Sequence, residues 1–112
     1  MKELRSRLRS FAEEREWETF HSPKNLAMAL SVEVAEIVEH FQWLTEEQSL
    51  ALSMEKRARI AGEIGDVLIY LTRLADVLGI DPLEAAFRKM VINADRYPVA
   101  KSKGRSSKYN EL

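Results

Sequence analysis

The apolar residues of this chain recur at helical spacing almost throughout. Leu4, Leu8, Phe11 and Ala12 fall at i, i+4, i+7 and i+8, one stripe of a helix predicted from about Lys2 to Trp17. Glu18-Thr19-Phe20-His21 break that stripe, and Ser22-Pro23 then read as an N-cap followed by a first-turn proline. A second helix is predicted from there to Phe41–Trp43, with Leu26, Ala29, Leu30, Val34, Ile37, Val38 and Phe41 as its apolar positions. Thr45-Glu46-Glu47-Gln48 has the form of a capping box for a short helical turn. Ser53 is a cap for a third helix from about Met54 to Leu78, which Gly79 ends. Asp81-Pro82-Leu83-Glu84 is a second capping box and opens a fourth helix that stops at Tyr97-Pro98. No strand-like alternation bounded by turn signals interrupts this order, and no repeat of solenoid period is present. The predicted fold is all-α: a four-helix bundle over residues 1–98, followed by a polar, basic tail over 99–112 that carries Lys101, Lys103, Arg105 and Lys108.

Composition narrows the function. The 112 residues make one domain rather than two, and 46% apolar content is enough for a core. Lys plus Arg number 17 against 18 Asp plus Glu, so the net charge of −1 argues against a general nucleic-acid binder. There are no cysteines and only two histidines, which excludes disulfides, thiol nucleophiles and Cys- or multi-His zinc sites. The run Val67-Leu68-Ile69-Tyr70-Leu71 is the longest apolar stretch, against the ~20 residues of a membrane helix. Met1-Lys2-Glu3-Leu4-Arg5 does not resemble a signal peptide, so a cytoplasmic protein with no membrane partner is expected.

The informative residues are acids. The second helix carries Glu33 and Glu36, then Glu39; the third carries Glu63 and Asp66. Residues three apart share a helix face, so each helix presents a pair of carboxylates. Each pair lies about nine residues, ~13 Å, from the connection between the two helices, so an antiparallel hairpin sets the pairs at one height. A solvated acidic face is the ordinary explanation of such clusters, and it fits poorly here. The residues four away are Ala29 and Ile37 for Glu33, Val32 and His40 for Glu36, and Gly62 and Tyr70 for Asp66; only Glu63 has a basic neighbour, Arg59. Four acids among apolar residues repel unless a cation joins them, and hard oxygen ligands favour Mg²⁺, with Mn²⁺ as a substitute. A di-iron site needs Glu-x-x-His on paired helices, but Ile37 precedes His40 by three and the third helix has no histidine. Gly62 and Gly65, each unfavourable in a helix interior, point to a close approach by the facing helix or by a ligand.

Glu33-x-x-Glu36, followed 27 positions later by Glu63-x-x-Asp66, resembles the metal motif of the MazG-like all-α nucleoside triphosphate pyrophosphohydrolases. The resemblance to the dCTP pyrophosphatase branch extends over Phe11 to Trp17, Phe20 to Leu26, Phe41-Gln42-Trp43, Gly65 to Leu71, Lys89 to Pro98, and Ser107-Lys108-Tyr109. It implies hydrolysis of a nucleoside triphosphate to the monophosphate and pyrophosphate with Mg²⁺. Glu33, Glu36, Glu63 and Asp66 would be the metal ligands. Trp17, Glu18, Thr19, Phe20, His21, Trp43 and Tyr70 would form the nucleotide pocket. Leu8 stands where related sequences can carry a histidine, which bears on base preference rather than on the reaction.

Charge balance adds a role for the fourth helix. Lys89, Asn93 and Arg96 form a stripe at i, i+4 and i+7 and are expected to contact phosphate, with Lys89 and Arg96 offsetting charge on the leaving group. Glu36 and Glu39 are the candidate general bases. Lys108 and Tyr109 are expected to close over the phosphates or a neighbouring subunit. A homodimer or homotetramer is expected from the apolar faces and from the resemblance. Two other readings stand beside this one. The first is the same reaction with a different base preference; the second is a non-enzymatic helical module whose acidic groove binds a basic partner.

Overall fold

The computed structural model describes residues 1–97 and 99. Among them the elements are α1 (Lys2–Glu14), a 3-10 turn (Glu18–Phe20), α2 (Pro23–Phe41), α3 (Glu46–Leu50), α4 (Met54–Val77) and α5 (Pro82–Arg96), with no strand. The all-α expectation is met. The chain divides into two compact units, Met1–Ile80 and Asp81–Leu112.

Local chemistry sets the helix ends. Ser22 Oγ accepts from the Asn25 N–H (3.2 Å) with Pro23 in the first turn, and Ser53 Oγ accepts from the Lys56 N–H (3.1 Å). The Thr45 box is complete: Thr45 Oγ1 accepts from the Gln48 N–H, and Gln48 Oε1 accepts from the Thr45 N–H. At α5 only half of the predicted box forms. Asp81 accepts from the N–H groups of Leu83 and Glu84, while the Glu84 side chain pairs with Arg88 one turn on. Gly79, at φ 69°, ends α4 in the left-handed conformation, and the Ile80 N–H returns to the Ala75 carbonyl.

The first helix stops at Glu14, three residues before the predicted Trp17. Glu16 takes a left-handed backbone (φ 53°), and the Trp17 N–H turns back to the Ala12 carbonyl (3.0 Å). The reversal leads into the 3-10 turn, which the Asn25 side chain ties to α2 by donating to the Phe20 carbonyl (3.1 Å).

Within the first unit α4 is the central element, packing against both α2 and α1. Among the described residues the buried apolar ones are few: Ala12, Leu26, Ile60 and Ala75. Met28, Val32, Val34 and Val38 on α2, and Ile64, Leu68 and Leu71 on α4, keep substantial exposure. Of the two expected causes of the α4 glycines, one is not seen here. A Cβ built on Gly62 or Gly65 meets nothing within 4 Å, so the facing helix does not crowd these glycines.

Candidate functional site

The α2/α4 hairpin brings the acids together. α2 and α4 run antiparallel, as the pairing of His21 with Arg73 at one end and His40 with Glu63 further along requires. Glu33 therefore faces the Glu63–Asp66 turn. Burial, then the charges of Glu36 and Asp66, a hydrogen bond that the protonated Glu33 carboxyl donates to Glu36, and the charge of Glu63, push the Glu33 carboxyl above its ordinary range. The other three predicted ligands thus all act on Glu33. Oε2 of Glu33 and Oε2 of Glu63 are buried oxygens without a hydrogen-bond partner. Glu63 Oε2 does lie 2.7 Å from His40 Nε2, an ion-pair approach whose direction is not that of a ring N–H bond. Arg59, its one basic neighbour on the helix, turns instead to Glu55 (2.7 Å).

These side chains share a neighbourhood but not yet a common ligation point: among the described residues no three His, Cys, Asp or Glu groups converge at metal spacing. The donor set still fits a hard divalent cation. It is all carboxylate, it includes two unsatisfied buried oxygens, and it suffers mutual repulsion that a cation would relieve. Glu39 is exposed on α2 and is not among the groups that perturb Glu33.

One turn beyond Asp66, ~6 Å along α4, Tyr70 lines an apolar cleft of about 210 Å³. Leu8 and Phe11 from α1, Trp17, His21 and Arg73 complete its main walls. The Trp17 ring meets Phe11 edge-on (centroids 5.6 Å) and His21 edge-on (6.3 Å), and the Arg15 guanidinium lies 3.5 Å over Phe11. Of the predicted pocket residues, Trp17, His21 and Tyr70 are gathered here. Glu18 instead lines a neighbouring charged hollow with Arg9, Arg73 and Asp76. Thr19 and Phe20 lie on the 3-10 turn with exposed side chains. Trp43 lies past the end of α2, 86% exposed, and is not brought to the cleft within one chain. Lys89, Asn93 and Arg96 share one stripe of α5, in the second unit. Lys108 and Tyr109 fall outside the described residues.

Arg73 and Asp76 escaped the sequence reading. Arg73 is buried, donates from Nε to His21 Nδ1 (3.1 Å) and from Nη1 to Asp76 Oδ2 (3.4 Å). Asp76 in turn accepts two bonds from Arg9, Nε to Oδ2 at 2.7 Å and Nη2 to Oδ1 at 2.5 Å. The bonds from Arg9 hold the Asp76 carboxyl below its ordinary range against the opposing effect of burial. Burial, reinforced by Arg73, pushes the His21 imidazole below its ordinary value.

Comparison with known proteins places the chain in a family. The sequence model of the MazG-like family matches residues 28–112, which include all four acids. The chain belongs to the MazG-like family. Among its MazG-like relatives, dCTP pyrophosphatase 1 of Homo sapiens is 42% identical over 114 aligned positions, covering all of this chain and 67% of the relative. That of Mus musculus is 43% identical, again over the whole chain and 67% of the relative. A solved pyrophosphatase from Archaeoglobus fulgidus superposes with a TM-score of 0.83 at 44% identity, over 88% of this chain and 92% of that one. Among the described residues, no helix of this MazG-like chain is long and apolar enough to cross a membrane.

Proposed function

We propose that the protein is a nucleoside triphosphate pyrophosphohydrolase. It converts dCTP, or a related pyrimidine deoxynucleotide, to the monophosphate and pyrophosphate, and so controls the cytoplasmic nucleotide pool. The carrying observation is the crowding of Glu33 by Glu36, Glu63 and Asp66, one helical turn from the Trp17/His21/Tyr70 cleft. The 42% identity to dCTP pyrophosphatase 1 along the whole chain supports the substrate class.

Glu33, Glu36, Glu63 and Asp66 would hold Mg²⁺, or Mn²⁺ in its place. When bound, the ion supplies Lewis acidity and neutralises phosphate charge. The chain's own residues do the rest. Trp17 and Tyr70 bind the base by stacking, with His21 at its edge, and Glu18, Thr19, Phe20 and Trp43 border the nucleotide from the 3-10 turn and from beyond α2. A carboxylate takes the proton of the water that attacks the α-phosphorus, and pyrophosphate leaves. Glu36 is the better placed of the two candidate bases, since it stands within the acidic group while Glu39 faces solvent. Lys89, Asn93 and Arg96 contact the phosphates, with Lys89 and Arg96 offsetting charge on the leaving pyrophosphate; their common stripe supports this assignment.

The working unit is a homodimer or homotetramer. Ile64, Leu68 and Leu71 make an apolar stripe on α4 at i, i+4 and i+7, only partly covered, next to the open flank of Gly65. Incubation with Mg²⁺ and dCTP, with products resolved by chromatography, tests the reaction. The expected products are dCMP and pyrophosphate, while dCDP and orthophosphate would refute the cleavage position.

A further inference from the structure

We propose that Arg73 is a positioning residue: by donating to His21 Nδ1 it fixes the imidazole as a neutral Nε2–H donor on the wall of the aromatic cleft, set to recognise an acceptor on a pyrimidine base. The identity of the ligand rests on the proposed function; the state of the ring does not.

A guanidinium has donors only and keeps its proton at every physiological pH. The nitrogen that accepts from it must offer a lone pair, so His21 Nδ1, 3.1 Å from Arg73 Nε, carries no hydrogen. A neutral imidazole then bears its hydrogen on Nε2. Doubly protonated His21 would place a ring N–H against a cation, which the geometry opposes. Arg73 has little freedom to turn away. It is 9% exposed, and Asp76, which accepts from it, is itself clamped by two bonds from Arg9 on α1. A purely structural Arg–Asp pair would be complete without histidine, yet Nε is spent on the imidazole. The lowered basicity of His21 agrees with this arrangement.

His21 stands edge-on to Trp17 and shares the cleft with Tyr70. A pyrimidine stacked there offers O2, and cytosine also N3, as acceptors for one fixed donor. A histidine free to exchange tautomers or to charge would lose that selectivity.

Long-range ¹H–¹⁵N spectroscopy of the intact protein tests the assignment. His21 Nδ1 is expected to resonate as a bare lone-pair nitrogen and Nε2 as a protonated one. Added dCMP is expected to move Nε2 while Nδ1 stays bare. In Arg73→Met the two nitrogens are expected to average, dCMP affinity to fall about five- to tenfold, and KM for dCTP to rise by a similar factor while kcat changes by less than about twofold. Arg73→Lys, a cationic donor, is expected to recover the bare Nδ1 and most of the affinity. A proton on Nδ1 in the wild type, an Nε2 signal indifferent to dCMP, or unchanged affinity in Arg73→Met would each overturn the proposal. Should Arg73→Met fail to fold, the wild-type spectra with and without dCMP decide alone. Binding of dCMP through His21 without dCTP cleavage would sink the hydrolysis reading and leave this one standing.

Discussion

Two groups of charge sit on the same helix in opposite condition. Toward the end of α4, Arg73 is buried, Asp76 is half-buried, and both are engaged: cation meets carboxylate, Arg9 closes the far side, and Arg73 Nε donates to His21. Two turns earlier, Glu36, Glu63 and Asp66 crowd Glu33, carboxylate against carboxylate, with buried oxygens that have no hydrogen-bond partner. Both groups stand beside a histidine from the α2 side, and both form between packed elements. The first has settled its electrostatics within the chain and serves as scaffold. The second has not, and an unsettled cluster of like charges is where a folded protein keeps its affinity for an external cation.

The sharpest way to break the contrast is to remove a charge from each group. Glu63→Gln is expected to lower dCTP turnover on the order of 10²–10³-fold or more while the circular dichroism spectrum and melting curve stay near wild type. Retained activity would strip the acidic group of its role. Asp76→Ala is expected to act chiefly on stability. It leaves the buried Arg73 guanidinium without its carboxylate, so chemical denaturation should show a loss of about 2–3 kcal/mol. A smaller effect sharpens the picture: Mg²⁺ at tenfold its dissociation constant should stabilise the wild type by about 1.4 kcal/mol. Glu63→Gln should show little of that gain in the same calorimetric titration.

The smallest effect is on pH dependence in chelator-treated protein. Glu33 has its folded value raised, so the native state holds the extra proton, and stability falls as pH rises from the ordinary glutamate range through the raised one. Asp76 has its folded value lowered, so its contribution is present above the ordinary aspartate range and disappears as pH falls through the depressed one. His21, with its folded value lowered, also loses stability as pH falls below the ordinary histidine range, so it adds to the acid limb and melting temperatures should peak between the limbs. Glu33→Gln should flatten the alkaline limb and leave the acid limb in place; a limb that persists in Glu33→Gln would assign it elsewhere.

The same contrast explains what could be read in the chain. Helix starts were legible because Ser22, Thr45, Ser53 and Asp81 act on backbone groups two or three residues away. The acidic group was legible too, since spacing along two helices and the length of their connection place Glu33, Glu36, Glu63 and Asp66 at one height. The settled group was not. Arg73 meets His21 across 52 positions and Asp76 meets Arg9 across 67, and no periodicity carries that information. Nor did spacing foretell that α1 stops at Glu14, that Arg59 prefers Glu55 to Glu63, or that Trp43 stays outside the cleft of its own chain. Each depends on a backbone reversal or on a choice between rival partners, which tertiary packing decides.

The reversal at Glu16 has a consequence of its own. A non-glycine residue wound left-handed costs about 1 kcal/mol, and here that strain aims Trp17 and the short segment behind it. This segment hangs between two helices and shares no residue with the carboxylate hairpin. If the cleft admits the base as proposed, selection or a protein engineer can retune its near wall by editing a handful of neighbouring codons, while the carboxylate hairpin is inherited untouched.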